Sequence, residues 1–269
     1  MSLYNEIIPN GDLSKYIESY WESPKVGSLV LAPEGTFHIL YSPQPFTLCA
    51  GQQYSLGPGL YILPINYGLN KIIHQSPILM IRAKAFTLSR FQYEAHLFAL
   101  KNTDYWQFDQ NIPLFRYLTS IYLKSCTAQS QSQLEELIYD LVTDRIGLNR
   151  VLREKVNYIL ERKGMIRIND MTKHFGISRQ YLHKYFNKHL NISPKQLSNI
   201  WRINHFLDLA NNENSLTSSA IDSGYFDQAH CIKEFKQFFT QTPKKFLSHD
   251  FDFTLNCINN RFNHCYDPQ

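Results

Sequence analysis

The chain has 269 residues, 43% of them hydrophobic and 19% charged, with a formal net charge of +4 at pH 7. That length allows one large or two ordinary domains with real cores. It contains no run of about 18 or more apolar residues, which excludes a membrane-spanning helix. Its start, Met1-Ser2-Leu3-Tyr4, lacks the basic, apolar and cleavage segments of a secretory leader.

The five cysteines, Cys49, Cys126, Cys231, Cys257 and Cys265, are odd in number and contain no C-x-x-C pair. They suit a reducing cytoplasm better than a disulfide framework, so a cytoplasmic location is expected. Cys257, His264 and Cys265 fall close together in the tail, but their spacing fits no common zinc pattern, and neither a metal nor a cofactor is expected. Charge is unevenly placed. Residues 151–250 carry 15 Lys and Arg against 9 Asp and Glu, whereas residues 1–150 carry 11 against 12. A basic excess confined to one region is what a polyanion-binding domain requires.

In chain order, residues 4–22 mix aromatic and acidic side chains and read as a lead-in strand or helix. From Leu29 to Phe86 short apolar runs alternate with turn signals such as Ala32-Pro33-Glu34-Gly35 and Gly57-Pro58-Gly59. Strands are expected at 29–31, 37–41, 46–49, 61–63, 69–74 and 78–85, making a small barrel or sandwich. Leu88, Phe91, Ala95 and Phe98 share a helical face, so a helix is predicted over 87–100. Further amphipathic helices are predicted over 112–123 and 134–146. In the second, the narrow stripe of Leu134, Leu137, Ile138 and Leu141 either packs on its own domain or forms a dimer seam. In 151–161 the pattern puts Val151, Leu152, Val156, Ile159 and Leu160 inward and Arg153, Glu154 and Lys155 outward.

The most informative stretch is 168–246, where one pattern is written twice. Ser178 is followed eight positions later by Phe186 and eight after that by Pro194; Asp227 leads by the same steps to Phe235 and Pro243. A glycine precedes each copy (Gly176, Gly224), and Ser193 or Thr242 precedes each proline. Ser178 and Asp227 are N-cap residues, and Ser193-Pro194 and Thr242-Pro243 pair a cap with proline at the first helical position. Asn191 can adopt the left-handed conformation that ends a helix. The signals describe two helix-turn-helix units joined by a long helix from Pro194 to about Ala210.

In such a unit the second helix lies in the DNA major groove, its N-terminal turns meeting base edges and its far face packed inward. Tyr181, Leu182, Tyr185 and Phe186 in the first copy, and Cys231, Ile232, Phe235 and Phe239 in the second, are the expected anchors. Outward positions then include Arg179, Gln180, His183, Lys184 and Asn187, and Gln228, Ala229, His230, Lys233 and Lys236. Gln can pair with adenine and Lys with guanine, while His can donate to an acceptor and Ala can meet a thymine methyl. Ser178, Arg179, Lys188, Lys195, Lys236, Lys244 and Lys245 are expected on phosphates, where they add affinity and salt dependence without sequence choice.

These residues resemble the C-terminal domain of the AraC-type transcription regulators. The likeness covers Gly176-Ile177-Ser178, Tyr181-Leu182, Phe186, Ser193-Pro194, Ala220, Phe235-Lys236, Thr242-Pro243 and, most specifically, the run from Gly224 to His230. The resemblance implies that two subdomains read successive major-groove segments on one DNA face, with Gln180, His183, Lys184, Gln228, Ala229, His230 and Lys233 as the base-reading positions. Thr172, Ser219 and Thr240 depart from it, standing where alanine, isoleucine and glycine are usual; the last two are expected to loosen the second unit.

Before residue 150 the likeness is weaker and rests on Leu31 to Gly35, Pro45 to Gly51 and Met80 to Ala83. It implies a β-rich domain that binds a small-molecule effector, pairs subunits as a homodimer, or both. Trp21, Phe37, His38, Tyr41, Tyr61 and Arg82 are the candidate pocket residues, although aromatic residues on strands are core by default. The expected fold is α+β: a β-rich barrel or sandwich over 1–124, a linker helix over 125–149, an all-α double helix-turn-helix domain over 150–249 and a tail over 250–269. The expected function is that of a DNA-binding transcription regulator that, when active, recruits RNA polymerase. No pair of nucleophile and base, metal spacing or phosphate loop supports an enzyme, and the four-cysteine site and Pro-Cys-His-Arg acceptor of alkyl-transfer repair proteins are absent. A ligand-binding protein with vestigial helix-turn-helix units is the other reading, opposed by the outward Gln, His and Lys of both copies.

Overall fold

The computed structural model describes residues 5–9, 11–23, 26–92, 97–101, 104–122, 128–143, 148–212 and 215–248. Cys257, His264, Cys265 and the rest of the expected tail lie outside the described residues. The chain forms two compact units, with the boundary between Leu152 and Arg153; the second also takes in the short segments Val30–Gly35 and Asn66–Leu69.

The first unit is built on two antiparallel sheets. Its strands are β1 (Asn5–Ile7), β2 (Ile17–Ser23), β3 (Gly27–Leu31), β4 (Thr36–Ser42), β5 (Phe46–Ala50), β6 (Gln52–Leu56), β7 (Gly59–Leu63), β8 (Asn70–His74), β9 (Ile78–Lys84), β10 (Phe98–Lys101) and β11 (Trp106–Phe108). One sheet runs β1-β2-β9-β4-β7-β11-β10 and the other β3-β8-β5-β6. Helices α1 (Leu88–Gln92), α2 (Pro113–Tyr122) and α3 (Ala128–Val142) follow the strands in part. The central strand β4 is buried at every residue, because its two faces are both covered.

Strand alternation decides which side chains can share a space. Phe37 and Tyr41 face the helices: the Phe37 ring meets Phe91 of α1 at 5.9 Å, and Tyr41 meets Phe115 of α2 at 6.1 Å and donates to Thr119 Oγ1 at 3.3 Å. Trp21, His38, Tyr61 and Arg82 face the other way. His38 pairs with Arg82, Leu40 pairs with both Met80 and Tyr61, and Met80 pairs in turn with Trp21, which puts all of these on the between-sheet face. That face meets the second sheet through Phe46 against Tyr61 at 5.2 Å and Ser23 beside His74 at 3.5 Å. The six candidate pocket residues therefore do not form one lining; Phe37 and Tyr41 are core against the helices.

Two expected elements differ. The helix predicted over 87–100 stops at Gln92 in the described chain, and Phe98, assigned to its apolar face, opens strand β10 instead, its ring stacked on Phe108 of β11 at 4.8 Å. Residues 93–96 of that helix lie outside the described residues. The expected linker helix, α3, belongs to the first unit: Tyr20 donates to Glu135 Oε1 at 2.6 Å, and Tyr16 meets Tyr139 edge-on at 6.1 Å. Of its stripe, Ile138 and Leu141 are buried, while Leu134 and Leu137 are half-buried.

The second unit is helical. It contains α4 (Leu148–Leu160), of which residues 153–160 belong to it, and then α5 (Ile168–Phe175), α6 (Arg179–Leu190), α7 (Pro194–Asn212), α8 (Leu216–Asp222), α9 (Gln228–Phe239) and α10 (Pro243–Leu247). The chain after α4 turns through Lys163 and Gly164, both at positive φ, and presses on α7. A Cβ on Gly164 would lie 2.2 Å from the Ser198 carbonyl oxygen, so only glycine fits this approach. Ser198 Oγ donates to the Gly164 carbonyl at 2.7 Å and closes the contact. On α4 the expectation for Lys155 and Val151 is reversed. Lys155 is 6% exposed, with its ammonium 4.6 Å from the Phe175 ring centre, whereas Val151 is 46% exposed. Lys155 lies three residues after Leu152, on the inward stripe, and a cation with a long apolar stem can occupy such a site over aromatic faces.

Candidate nucleic-acid interface

Each putting-together of a recognition helix starts from local chemistry. Ser178 Oγ accepts from the Tyr181 N–H at 3.1 Å and Asp227 Oδ1 from the His230 N–H at 2.7 Å, so both helices begin where the caps set them. Gly176, at φ 62°, ends α5 in the left-handed region, and Gly224 at φ 80° makes the corresponding turn before α9. At the start of α7, Ser193 Oγ accepts from the Gln196 N–H at 3.1 Å while Gln196 Oε1 accepts from the Ser193 N–H at 2.8 Å, a reciprocal capping box. Thr242 caps α10 through the Lys245 N–H at 3.4 Å.

The packed faces are largely those expected. Leu182 and Phe186 in α6, and Cys231, Phe235 and Phe239 in α9, are buried. Tyr181 is a correction: it is 51% exposed, lying on Tyr185 with ring centres 5.8 Å apart, because its place in the first turn of α6, one residue before the buried Leu182, turns away from the core. Burial pushes the Cys231 thiol up to about 12, with Glu234 adding to the effect, so this sulfur packs as a small apolar group.

The outward faces hold the expected base-reading residues. Gln180, His183 and Lys184 are exposed on α6; Ala229, His230 and Lys233 are exposed on α9, with Gln228 half-buried beside them. Their polar atoms are already partly oriented. His183 Nδ1 lies 3.2 Å from Asn187 Nδ2, which leaves Nε2 toward solvent. His230 is held differently, its Nε2 3.9 Å from Glu234 and its ring edge-on to Tyr225. Thr217 Oγ1 donates to Gln228 Oε1 at 3.1 Å; an amide oxygen has a second lone pair, so the group keeps both functions for a base.

The expected phosphate contacts Ser178, Arg179, Lys188, Lys195, Lys236, Lys244 and Lys245 are all exposed. Arg179 and Lys195 line one concavity of about 370 Å³ together with Arg167. Arg167 escaped the sequence reading because it sits 12 and 28 positions from its companions, and nothing local marks it. An adjoining concavity of about 610 Å³ shares Arg167 and Lys195 and extends to Arg162, Arg202 and Gly224. Desolvation, and after it the nearby Arg202, hold the Lys195 ammonium below the usual lysine value although its surface remains open. Arg202 itself is committed: it donates to both oxygens of the buried Glu234, at 2.9 and 2.6 Å, and Tyr225 donates to the same carboxylate at 3.2 Å. That network ties α7 to α9, and no spacing in the sequence announced it. No group of three or more His, Cys, Asp or Glu positioned for a metal occurs among the described residues.

A family model described as a helix-turn-helix domain matches residues 171–249. These residues are an AraC-type helix-turn-helix domain. The chain is 32% identical over 78 residues to the transcriptional regulator MxiE of Shigella flexneri, a match that covers 29% of this chain and 37% of MxiE. The chain is also 34% identical over 83 residues to the Msm operon regulatory protein of Streptococcus mutans, covering 30% of each chain. The match thus spans about a third of the length of these relatives. Among solved structures, ToxT from Vibrio cholerae is similar over 91% of this chain and 98% of its own, with 13% identity and a TM-score of 0.49.

Proposed function

We propose that the chain is a sequence-specific DNA-binding transcription regulator whose helices α6 and α9 enter successive major grooves of double-stranded DNA. The observation that carries this reading is the repeated recognition helix: each is capped at its first turn, packed on one face and polar on the other. On this reading Gln180, His183, Lys184, Gln228, Ala229, His230 and Lys233 meet bases. Arg167, Arg179 and Lys195 hold one stretch of phosphate backbone, with Ser178, Lys188, Lys236, Lys244 and Lys245 gripping others. The protein acts by binding, not catalysis, in the cytoplasm, and recruits RNA polymerase when active. The first unit controls it by binding an effector, by pairing two copies, or both. Trp21, His38, Tyr61 and Arg82, on one face between the sheets, are the residues for an effector to reach; Arg82 there pairs with Glu6 at 3.3 Å.

The test compares specific with random DNA. His183→Ala and Gln228→Ala each relax preference at one base position, by about 1–3 kcal/mol. Lys244→Ala weakens binding to all sequences and lowers the salt slope by about one. Equal effects of all three on specific and random DNA would overturn the helix assignment.

A further inference from the structure

We propose that Phe226 is a specificity-determining residue of the second recognition helix, reading the 5-methyl group of a thymine at the edge of the groove that α9 enters. This rests on the DNA-binding reading above. Phe226 is 90% exposed, more than any other large hydrophobic side chain among the described residues. A lone exposed apolar residue on an arbitrary surface is ordinary. The position of this one is not arbitrary, since it directly precedes Asp227, the cap of α9.

An apolar residue just before an N-cap commonly packs on the fourth residue of the helix and fixes the entry of the chain. In the first unit that place belongs to Ile177, which is half-buried. In the second, Phe226 would have to cover Cys231, and its exposure shows that it does not. Its backbone is nonetheless held from both sides. Tyr225 is buried, with its ring 6.4 Å from Phe206 and its hydroxyl on Glu234, and Asp227 is bound to the His230 N–H. The ring is therefore presented outward at the N-terminal end of the helix, the end that meets base edges in this class of domain.

The chemistry of the ring selects its target. A phenyl group can neither donate to nor accept from a base edge, and it has no attraction for phosphate. In the major groove the apolar feature available to it is the thymine methyl. Insertion between base steps is the other use of an apolar side chain, but proteins make it from the minor groove. Ala229, also exposed and apolar, sits one turn further along the same end of α9.

The test uses the full-length chain. Sites are selected from random DNA, and each thymine of the selected site is replaced in turn by uracil, which removes only the methyl group. The wild type is expected to lose about fourfold in affinity at one thymine of the second half-site, the worth of one buried methyl. Phe226→Ala is expected to bind the intact site more weakly, to be indifferent to uracil at that thymine alone, and to unfold at the wild-type temperature. Phe226→Leu, which keeps an apolar group, should retain part of the uracil effect. If the wild type binds specifically and every uracil effect persists in Phe226→Ala, the inference is wrong while the DNA-binding reading stands. If Phe226→Ala binds DNA as the wild type does and fails only in activating transcription, the ring serves a protein partner and the inference is again wrong. If the wild type selects no sequence at all, both readings fall.

Discussion

In the first helix-turn-helix unit α6 ends on Asn191 at φ 60°, and in the second α9 ends on Thr240 at φ 56°. Asparagine is one of the few side chains that accept the left-handed region readily, whereas a β-branched threonine there is strained. The second unit offsets that strain with aromatic packing. Phe235 stacks on Phe239 at 4.4 Å, and Phe246 lies 4.6 Å from Phe239 and 5.6 Å from Phe235. The first unit relies on Leu182, Phe186 and Leu190, with Lys155 closing over Phe175 and Tyr185. Two copies of one spacing thus reach the same backbone by different means, one by compatible local conformation and the other by tertiary contact. A unit of the second kind should be hurt more by losing its core and helped more by relief at its helix end.

The largest effect is expected from the matched pair Phe186→Ala and Phe235→Ala. Each removes a fully buried ring and costs about 3–5 kcal/mol, with Phe235 at the upper end because three other rings lose a neighbour or a partner of one. Urea unfolding followed separately in each unit by hydrogen exchange would rank them, and a larger loss for Phe186→Ala would reverse the comparison.

Next comes a pH effect that should not distinguish the units, because it arises in the helix α7 that joins them. Burial, and after it the nearby Lys163, lower His205 to about 4. The unfolded chain takes up this proton near pH 6.5, while the folded protein refuses it until about pH 4. Stability is therefore full above pH 6.5 and falls as pH drops through the window from there to about 4, by up to about 3 kcal/mol. His189 of α6 is shifted in the same direction by burial and adds a smaller slope that belongs to the first unit alone. Thermal unfolding at pH 7 and pH 5 should show the loss, and His205→Gln should flatten it.

A smaller effect tests the helix ends. Thr240→Gly should stabilise the chain by about 1 kcal/mol by removing a side chain that the left-handed backbone disfavours. Asn191→Gly should change stability by only a few tenths of a kcal/mol, since asparagine already tolerates that conformation. Equal shifts in melting temperature would show that Thr240 carries no special strain.

Smallest is the difference between the caps. Ser178→Ala and Asp227→Ala each cost about 1 kcal/mol, with Asp227 the larger by a few tenths because its charge also faces the positive end of the helix. Raising the salt concentration should shrink that difference by screening the charge.

What could be read directly from the sequence was what neighbours along the chain decide. A cap binds an N–H three residues away, a proline sets its own φ, and a left-handed residue ends its own helix. Ser178, Asp227, Ser193-Pro194, Thr242-Pro243 and Asn191 were legible for that reason, and with them both recognition helices and the side chains on their outer faces. The strands from β3 to β9 were also visible, except β6, whose Gln-Gln-Tyr-Ser-Leu is mostly polar because it lies at the edge of its sheet and is mainly exposed. Only the tertiary structure decided matters that join distant segments. Strand pairing sent Phe37 and Tyr41 to one face and Trp21, His38, Tyr61 and Arg82 to the other; helix packing buried Lys155, turned Tyr181 outward and joined Arg202 to Glu234. The physical reason is that alternation and helical period tell which residues share a face, while which face is covered, and by what, depends on chain that arrives from elsewhere.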